Sequence, residues 1–196
     1  MIKQQDNFVG FGVYKLKPTS NDAIIQLSLQ KGGSSYGGTG FLIDPTTIIT
    51  AAHNINETTN LVTGNKQILK CFEYVTGPFN GPDPGDLALI KLQEPGILLA
   101  SYINLAVGQQ SAKCLVIGYN ALKNGLQEGA EGPAEKSNNL YTYRMDTYQG
   151  ISGGPLLISG TKKAIGVHIW GKEHISNYAA PITADFMNWV NEKRSA

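Results

Sequence analysis

A chain of 196 residues has the length of one ordinary domain or of two fused half-domains, which excludes a large multidomain assembly. Seven basic and eight acidic residues precede position 99, and nine and seven follow it, for a formal net charge of +1; neither half is basic enough for nucleic acid or an anionic membrane. Charged residues make up 16% and glycines number 23, against usual shares of about 25% and about 7%, a bias toward short strands and turns that excludes disorder and a coiled coil.

The first thirty residues contain Lys3, Asp6, Lys15, Lys17 and Asp22 and so hold no unbroken apolar segment of signal-peptide length. From there, short apolar or alternating runs recur between turn signals. Ala23–Leu29, Thr46–Thr50, Ile68–Tyr74 and Leu87–Leu92 read as strands, followed by Cys114–Tyr119, Leu140–Tyr143, Pro155–Ile158 and Ala164–Trp170. Turns fall at Lys31–Gly33, Glu94–Gly96 and Ser159–Thr161. Between the two sets, the apolar stretch Gly96–Val107 is interrupted by Ser101 and Asn104 and is too short to span a bilayer. The polar segment Lys123–Asn139, with Gly125, Gly129, Gly132 and Pro133, reads as a long surface loop. At the C-terminus Thr183 is placed to cap a helix whose Phe186, Trp189 and Val190 fall at i, i+3 and i+4. Strands at this spacing with a single helix indicate an all-β sandwich or barrel. Cys71 and Cys114 allow one bridge or two buried thiols.

Three segments concentrate chemistry. Thr50-Ala-Ala-His53 delivers a histidine just past a strand end, and Gly85-Asp86 sets a carboxylate directly ahead of the apolar run Leu87–Leu92. Taken singly, each is an ordinary structural residue or turn. Gly150-Ile-Ser-Gly-Gly-Pro155 differs in kind: glycines on both sides of Ser152 let the backbone turn sharply and aim two N–H groups at one spot, which is what an oxyanion hole requires.

In the order His53, Asp86, Ser152, with TAAH, DLALIKL and GxSGGP, the chain resembles the chymotrypsin-like serine peptidases from about Ala23 to its end. The resemblance implies an all-β architecture of two antiparallel six-stranded Greek-key barrels with a short C-terminal helix. The whole of 1–196 would then be one peptidase unit, with a first barrel over about 20–100, a second over about 110–182 and the helix over 183–194. It further implies a catalytic triad of His53, Asp86 and Ser152, an oxyanion hole made by the N–H groups of Gly150 and Ser152, a polypeptide substrate, and no metal or organic cofactor. No nucleic-acid or membrane partner and a monomeric state are expected. Compartment stays open: the resemblance points to secretion, whereas the absence of a signal segment allows an intracellular enzyme.

Where the digestive enzymes carry an aspartate that pairs with a newly cleaved N-terminus, this chain has Ile151. In that respect, and in having Gly38 and Asn54 where vertebrate enzymes place a disulfide, it resembles the bacterial V8-like glutamyl endopeptidases. Its SGGP, however, is the commoner trypsin and HtrA form. The specificity (S1) pocket implied by the resemblance involves Asp146, Thr147, His168, Trp170 and Gly171. Thr147, five residues before Ser152, and His168, sixteen after it, stand where glutamyl endopeptidases bind an acidic side chain. Asp146 stands where trypsin-like enzymes bind Lys or Arg, unless Arg144 neutralises it in a salt bridge. Cleavage after Glu, and less readily Asp, is the favoured reading. Trypsin-like specificity, or a chymotrypsin-fold binding or toxin module with restricted proteolysis, is the alternative.

Overall fold

The structure, a computed structural model, describes residues 10–31, 34–55, 58–63, 68–76, 85–95, 98–99 and 102–195. After a two-residue strand β1 (Lys17–Pro18), the chain enters β2 (Ile24–Lys31), β3 (Ser34–Asp44), β4 (Thr47–Thr50), β5 (Thr58–Thr63), β6 (Ile68–Leu69), β7 (Cys71–Val75) and β8 (Ala88–Leu92). These seven form an antiparallel sheet in the order β6-β5-β2-β3-β4-β8-β7. Its two outer members are consecutive in the chain, separated by Lys70 alone, so one stretch of backbone serves both ends of the path. The Lys70 carbonyl accepts from Gln93 N at 2.9 Å. Buried apolar runs such as Ile24-Ile25 and Ile48-Ile49 show that these strands are covered on both faces.

The second half supplies β9 (Asn104–Leu105), β10 (Ser111–Asn120), β11 (Leu126–Ser137), β12 (Leu140–Tyr143), β13 (Pro155–Ile158), β14 (Lys163–Lys172) and β15 (Ser176–Pro181). Six of them pair in the order β10-β11-β12-β15-β14-β13, and β13 returns to β10, so this sheet closes as a six-stranded barrel. β1 joins it beside β11 and β9 joins beside β14. The expected all-β architecture with a C-terminal helix is therefore present. Its interior holds Cys114, Val116, Tyr141, Met145, Leu156 and Ile165. Cys114 is free, which removes the bridge to Cys71, whose side chain lies outside the described residues.

The segment expected as a surface loop is instead mostly β11. It pairs with β10 over ten positions, from Ser111↔Glu135 to Asn120↔Leu126. Its pattern has the strand period of two, with Ala130, Gly132 and Ala134 buried and Glu131, Pro133 and Glu135 exposed. The inward residues are small because rings occupy the space: a Cβ on Gly132 would lie 2.8 Å from Tyr14 Cγ. The run Ile68–Tyr74 is divided at Lys70 rather than continuous. Gly32 and Gly33 of one expected turn, and Gly96 of another, lie outside the described residues.

The helix α1 (Ala184–Ser195) begins where Thr183 Oγ1 accepts from Phe186 N at 3.1 Å. It buries Phe186, Trp189 and Val190 against the larger core, and Arg194 Nε reaches Asp44 Oδ2 at 2.7 Å in the β3–β4 turn. The C-terminal helix thus fastens the end of the chain to the first sheet. Phe186→Ala should destabilise the fold by about 3–5 kcal/mol, and Thr183→Ala, which removes only the cap, by about 1 kcal/mol. Equilibrium urea unfolding of both variants tests this ranking; equal losses would refute it.

Candidate active site

β4 ends at Thr50, and a 3₁₀ turn (Ala52–Ile55) follows at once, carrying His53 out of the first sheet. Asp86, just ahead of β8, grips that turn twice: Oδ1 accepts from His53 N at 2.9 Å, and Oδ2 lies 2.5 Å from His53 Nδ1. Because β4 and β8 are paired neighbours, with Thr50 opposite Ala88, the ladder itself brings the two residues together. A carboxylate at Nδ1 requires the proton there and leaves Nε2 as the basic nitrogen of the neutral ring.

Ser152 comes from the second half, in the loop between β12 and β13, and is buried. Its carbonyl accepts from Thr39 N and from Asn54 Nδ2, both at 2.8 Å. Asn54 is the neighbour of His53, so the histidine turn and the serine loop are bonded directly. On either side of Ser152 the loop has no alternative to glycine. Gly150 and Gly153 have φ of 98° and 89°. A Cβ on Gly153 would meet Thr39 O at 2.0 Å, and one on Gly150 would meet Tyr119 O at 2.5 Å. The carbonyls of Gln149 and Ile151 accept from Ala121 N (2.8 Å) and Gly154 N (2.9 Å). Peptides are planar and trans, so anchoring those two oxygens fixes the directions of the Gly150 and Ser152 N–H groups.

Behind the serine, Gly153 N donates to His168 O at 2.7 Å and His168 N donates to Gly154 O at 2.8 Å, which places His168 on β14 next to the loop. Its ring is buried, with Nδ1 2.6 Å from the Tyr143 hydroxyl. Burial, reinforced by the nearby His53 and only partly opposed by a hydrogen bond to the Tyr178 backbone, pulls its pKa down to about 3. The imidazole is therefore neutral. Thr147 Oγ1 donates to Asn177 Oδ1 at 3.0 Å. Trp170 stacks on Tyr178 with centroids 4.0 Å apart, beyond a register shift between His168 and Trp170, and Gly171 pairs with Asn177.

Asp146 is oriented differently. Its Oδ1 accepts from Phe11 N (2.7 Å) and Gly12 N (3.3 Å), and its own N–H donates to Tyr14 O at 2.9 Å. The Arg144–Asp146 salt bridge that would neutralise this carboxylate is absent among the described residues. Arg144 lies over the Phe11 ring at 6.0 Å instead. Thr39, Tyr143 and Asn177 were not legible as site residues. The only sequence signal was the strand alternation that turns Tyr141 and Tyr143 to one side of β12.

The family model described as Trypsin matches residues 12–190. The chain belongs to the trypsin family. This trypsin-family chain also superposes on a Glu endopeptidase solved in complex with MPD, with a TM-score of 0.81 and 22% identity, covering 96% of this chain and 100% of that one. Kallikrein-related peptidase 10 aligns with a TM-score of 0.71 at 22% identity over 90% of this chain and 98% of its own, and its Zn²⁺ complex with 0.67 at 23% over 87% and 96%. At these identities the likeness is one of fold. The family makes the protein a serine peptidase with a polypeptide substrate. No helix among the described residues is long and apolar enough to cross a membrane.

The buried neutral His168 has a consequence for stability. Its ordinary pKa of 6.5 is lowered to about 3 on folding, so between those values the unfolded chain binds a proton that the folded chain excludes. Its contribution is fully present above pH 6.5 and is lost as pH falls through that window. Comparison of urea midpoints from pH 7 to pH 4 should show a decline that His168→Gln makes shallower; identical slopes in the two proteins would contradict it.

Proposed function

We propose that this peptidase hydrolyses peptide bonds through an acyl-enzyme on Ser152 and cleaves after Glu, less readily after Asp. As Ser152 Oγ attacks the scissile carbonyl, His53 Nε2 takes its proton, and Asp86 holds the resulting imidazolium in place. The N–H groups of Gly150 and Ser152 stabilise the oxygen anion, each such donor being worth on the order of 10²–10³ in rate. His53 then returns the proton to the leaving amine. Water repeats the sequence to free the acid and regenerate the serine.

The observation that carries the choice of side chain is the contrast between His168 and Asp146. His168 is a neutral imidazole bonded to the serine loop, its ring held by the Tyr143 hydroxyl and the Tyr178 backbone, while the carboxylate of Asp146 is turned through Oδ1 toward Phe11 and Gly12 N–H. A substrate carboxylate beside His168 gains a hydrogen bond from the ring and draws its pKa upward toward the charged form. With the proton on Nε2, Nδ1 would accept from the Tyr143 hydroxyl, and a substrate carboxylate would take over the ring donor now bonded to the Tyr178 backbone. The Asp146 carboxylate is tied through Oδ1 to the Phe11 and Gly12 amides, so a Lys or Arg side chain would have to reach it through Oδ2. Thr147 would assist by turning its hydroxyl from Asn177 to the substrate.

Ser152→Ala is expected to abolish peptide hydrolysis, and Asp86→Asn to lower turnover by roughly 10⁴ by favouring the wrong tautomer of His53. Hydrolysis of a quenched peptide and labelling by a fluorophosphonate measure both. Wild-type protein that neither cleaves nor labels would instead match a chymotrypsin-fold binding module.

Cleavage sites in a denatured protein mixture should cluster after Glu. His168→Ala should raise KM and reduce kcat/KM for Glu peptides at least tenfold while fluorophosphonate labelling of Ser152 persists; Asp146→Asn should leave the Glu preference intact. Sites clustered after Lys and Arg, removed by Asp146→Asn, would establish the trypsin-like alternative.

A further inference from the structure

Ile151 is fully buried among apolar neighbours and brings no charge with which to order the oxyanion site. The direction of the Gly150 N–H is set by the hydrogen bond from Ala121 N to the Gln149 carbonyl. Ala121 opens a 3₁₀ turn (Ala121–Lys123) capped by Asn120, whose Oδ1 accepts from Leu122 N at 3.0 Å and whose carbonyl accepts from Gly125 N at 3.1 Å. The other end of the Asn120 amide is held as well: Nδ2 donates to Glu128 Oε2 at 2.8 Å, and both side chains are buried. Glu128 Oε1 accepts from Lys123 Nζ at 2.8 Å, which closes the far side of the same turn. A buried carboxylate is costly unless every oxygen is bonded. Among the described residues this one is bonded only to the turn that aims Gly150, and no step of the peptidase reaction uses it.

We propose that Glu128 is a positioning residue for the oxyanion hole, acting through Asn120 and the Ala121 N–H. It takes the place of the ion pair that Ile151 cannot make, and the inference rests on the acyl-enzyme reading above. Strand β11 delivers this carboxylate to the turn: Glu128 lies opposite Gly118 in the β10–β11 ladder, two residues before Asn120. Loss of the link would let the turn and the Gln149 peptide rotate, weakening stabilisation of the transition state while leaving substrate side-chain binding unchanged.

The test uses the whole chain, a peptide chosen from the wild-type enzyme's own cleavage profile, and the aldehyde of the same sequence, whose hemiacetal oxygen occupies the oxyanion hole. Active sites are counted by exhaustive fluorophosphonate labelling. Per labelled site, Glu128→Ala should lose about tenfold or more in kcat with KM within twofold, and aldehyde affinity should weaken by the same factor as kcat/KM. Glu128→Gln, whose amide oxygen still accepts from Asn120, should keep at least half of the wild-type kcat. Asn120→Ser retains an acceptor for Leu122 N but is too short to reach Glu128, so it should reproduce the Glu128→Ala split and decides the matter if that variant does not fold. Wild-type turnover per labelled site in Glu128→Ala or Asn120→Ser, or a change in KM alone, would overturn the proposal. A wild-type enzyme that fails to cleave or label would overturn the acyl-enzyme reading as well.

Discussion

Thr39 is the residue on which the arrangement of the two sheets depends. It is fully buried in β3 of the first sheet, and its four polar functions are all bonded. Its N–H donates to Ser152 O (2.8 Å), its hydroxyl donates to Gly150 O (2.6 Å) and accepts from Tyr119 N (2.9 Å), and its carbonyl accepts from Thr50 Oγ1 (2.7 Å). Those partners belong to β4, to β10 of the second barrel and to the serine loop. An interior threonine with any of these bonds missing would bear the full desolvation cost of the orphaned group. The satisfied network therefore restricts the mutual position of the sheets and holds the serine loop against the turn that carries His53.

The electrostatics follow from the same closeness. His53 and His168 are near enough for each charge to be felt by the other, and burial holds His168 neutral. In the proposed reaction His53 becomes an imidazolium while the oxyanion forms. A second cation at His168 would oppose that step, whereas a glutamate carboxylate held there would favour it. Substrate recognition and proton transfer are then coupled through the field inside the cleft as well as through geometry.

How far the sequence disclosed this depended on where the information lay. Strands with large alternating or continuous apolar residues, such as β8, β12, β13 and β14, announced themselves, as did the helix with its Thr183 cap. The serine motif was legible because its backbone adopts a conformation open only to glycine at positions 150 and 153, and the motifs around His53 and Asp86 gained meaning from standing in order with it. β3 and β11 were not legible, because their inward positions are filled by Gly38, Gly40, Ala130, Gly132 and Ala134. Close backbone approach demanded small residues there and erased the hydrophobic period. The partners of the Asp146 carboxylate, for which Arg144 was one candidate, were hidden for a related reason. They are the main-chain amides of Phe11 and Gly12, 135 and 134 positions away, and amides carry no side-chain signature.

The division of one stretch of chain at Lys70 between the two ends of the first sheet bears on how the protein survives its own chemistry. A peptidase cleaves segments that can leave their ladder and lie extended in a cleft, and a sheet with a bare margin offers such segments one strand at a time. Here the two end strands of the first sheet are joined through Lys70, so releasing β6 from β5 pulls on the backbone that β7 uses to hold β8, and the second barrel is closed by β11 against β12. Release of one end strand of the first sheet is therefore tied to the other, which leaves the connections between strands as the segments most readily drawn into another molecule's cleft.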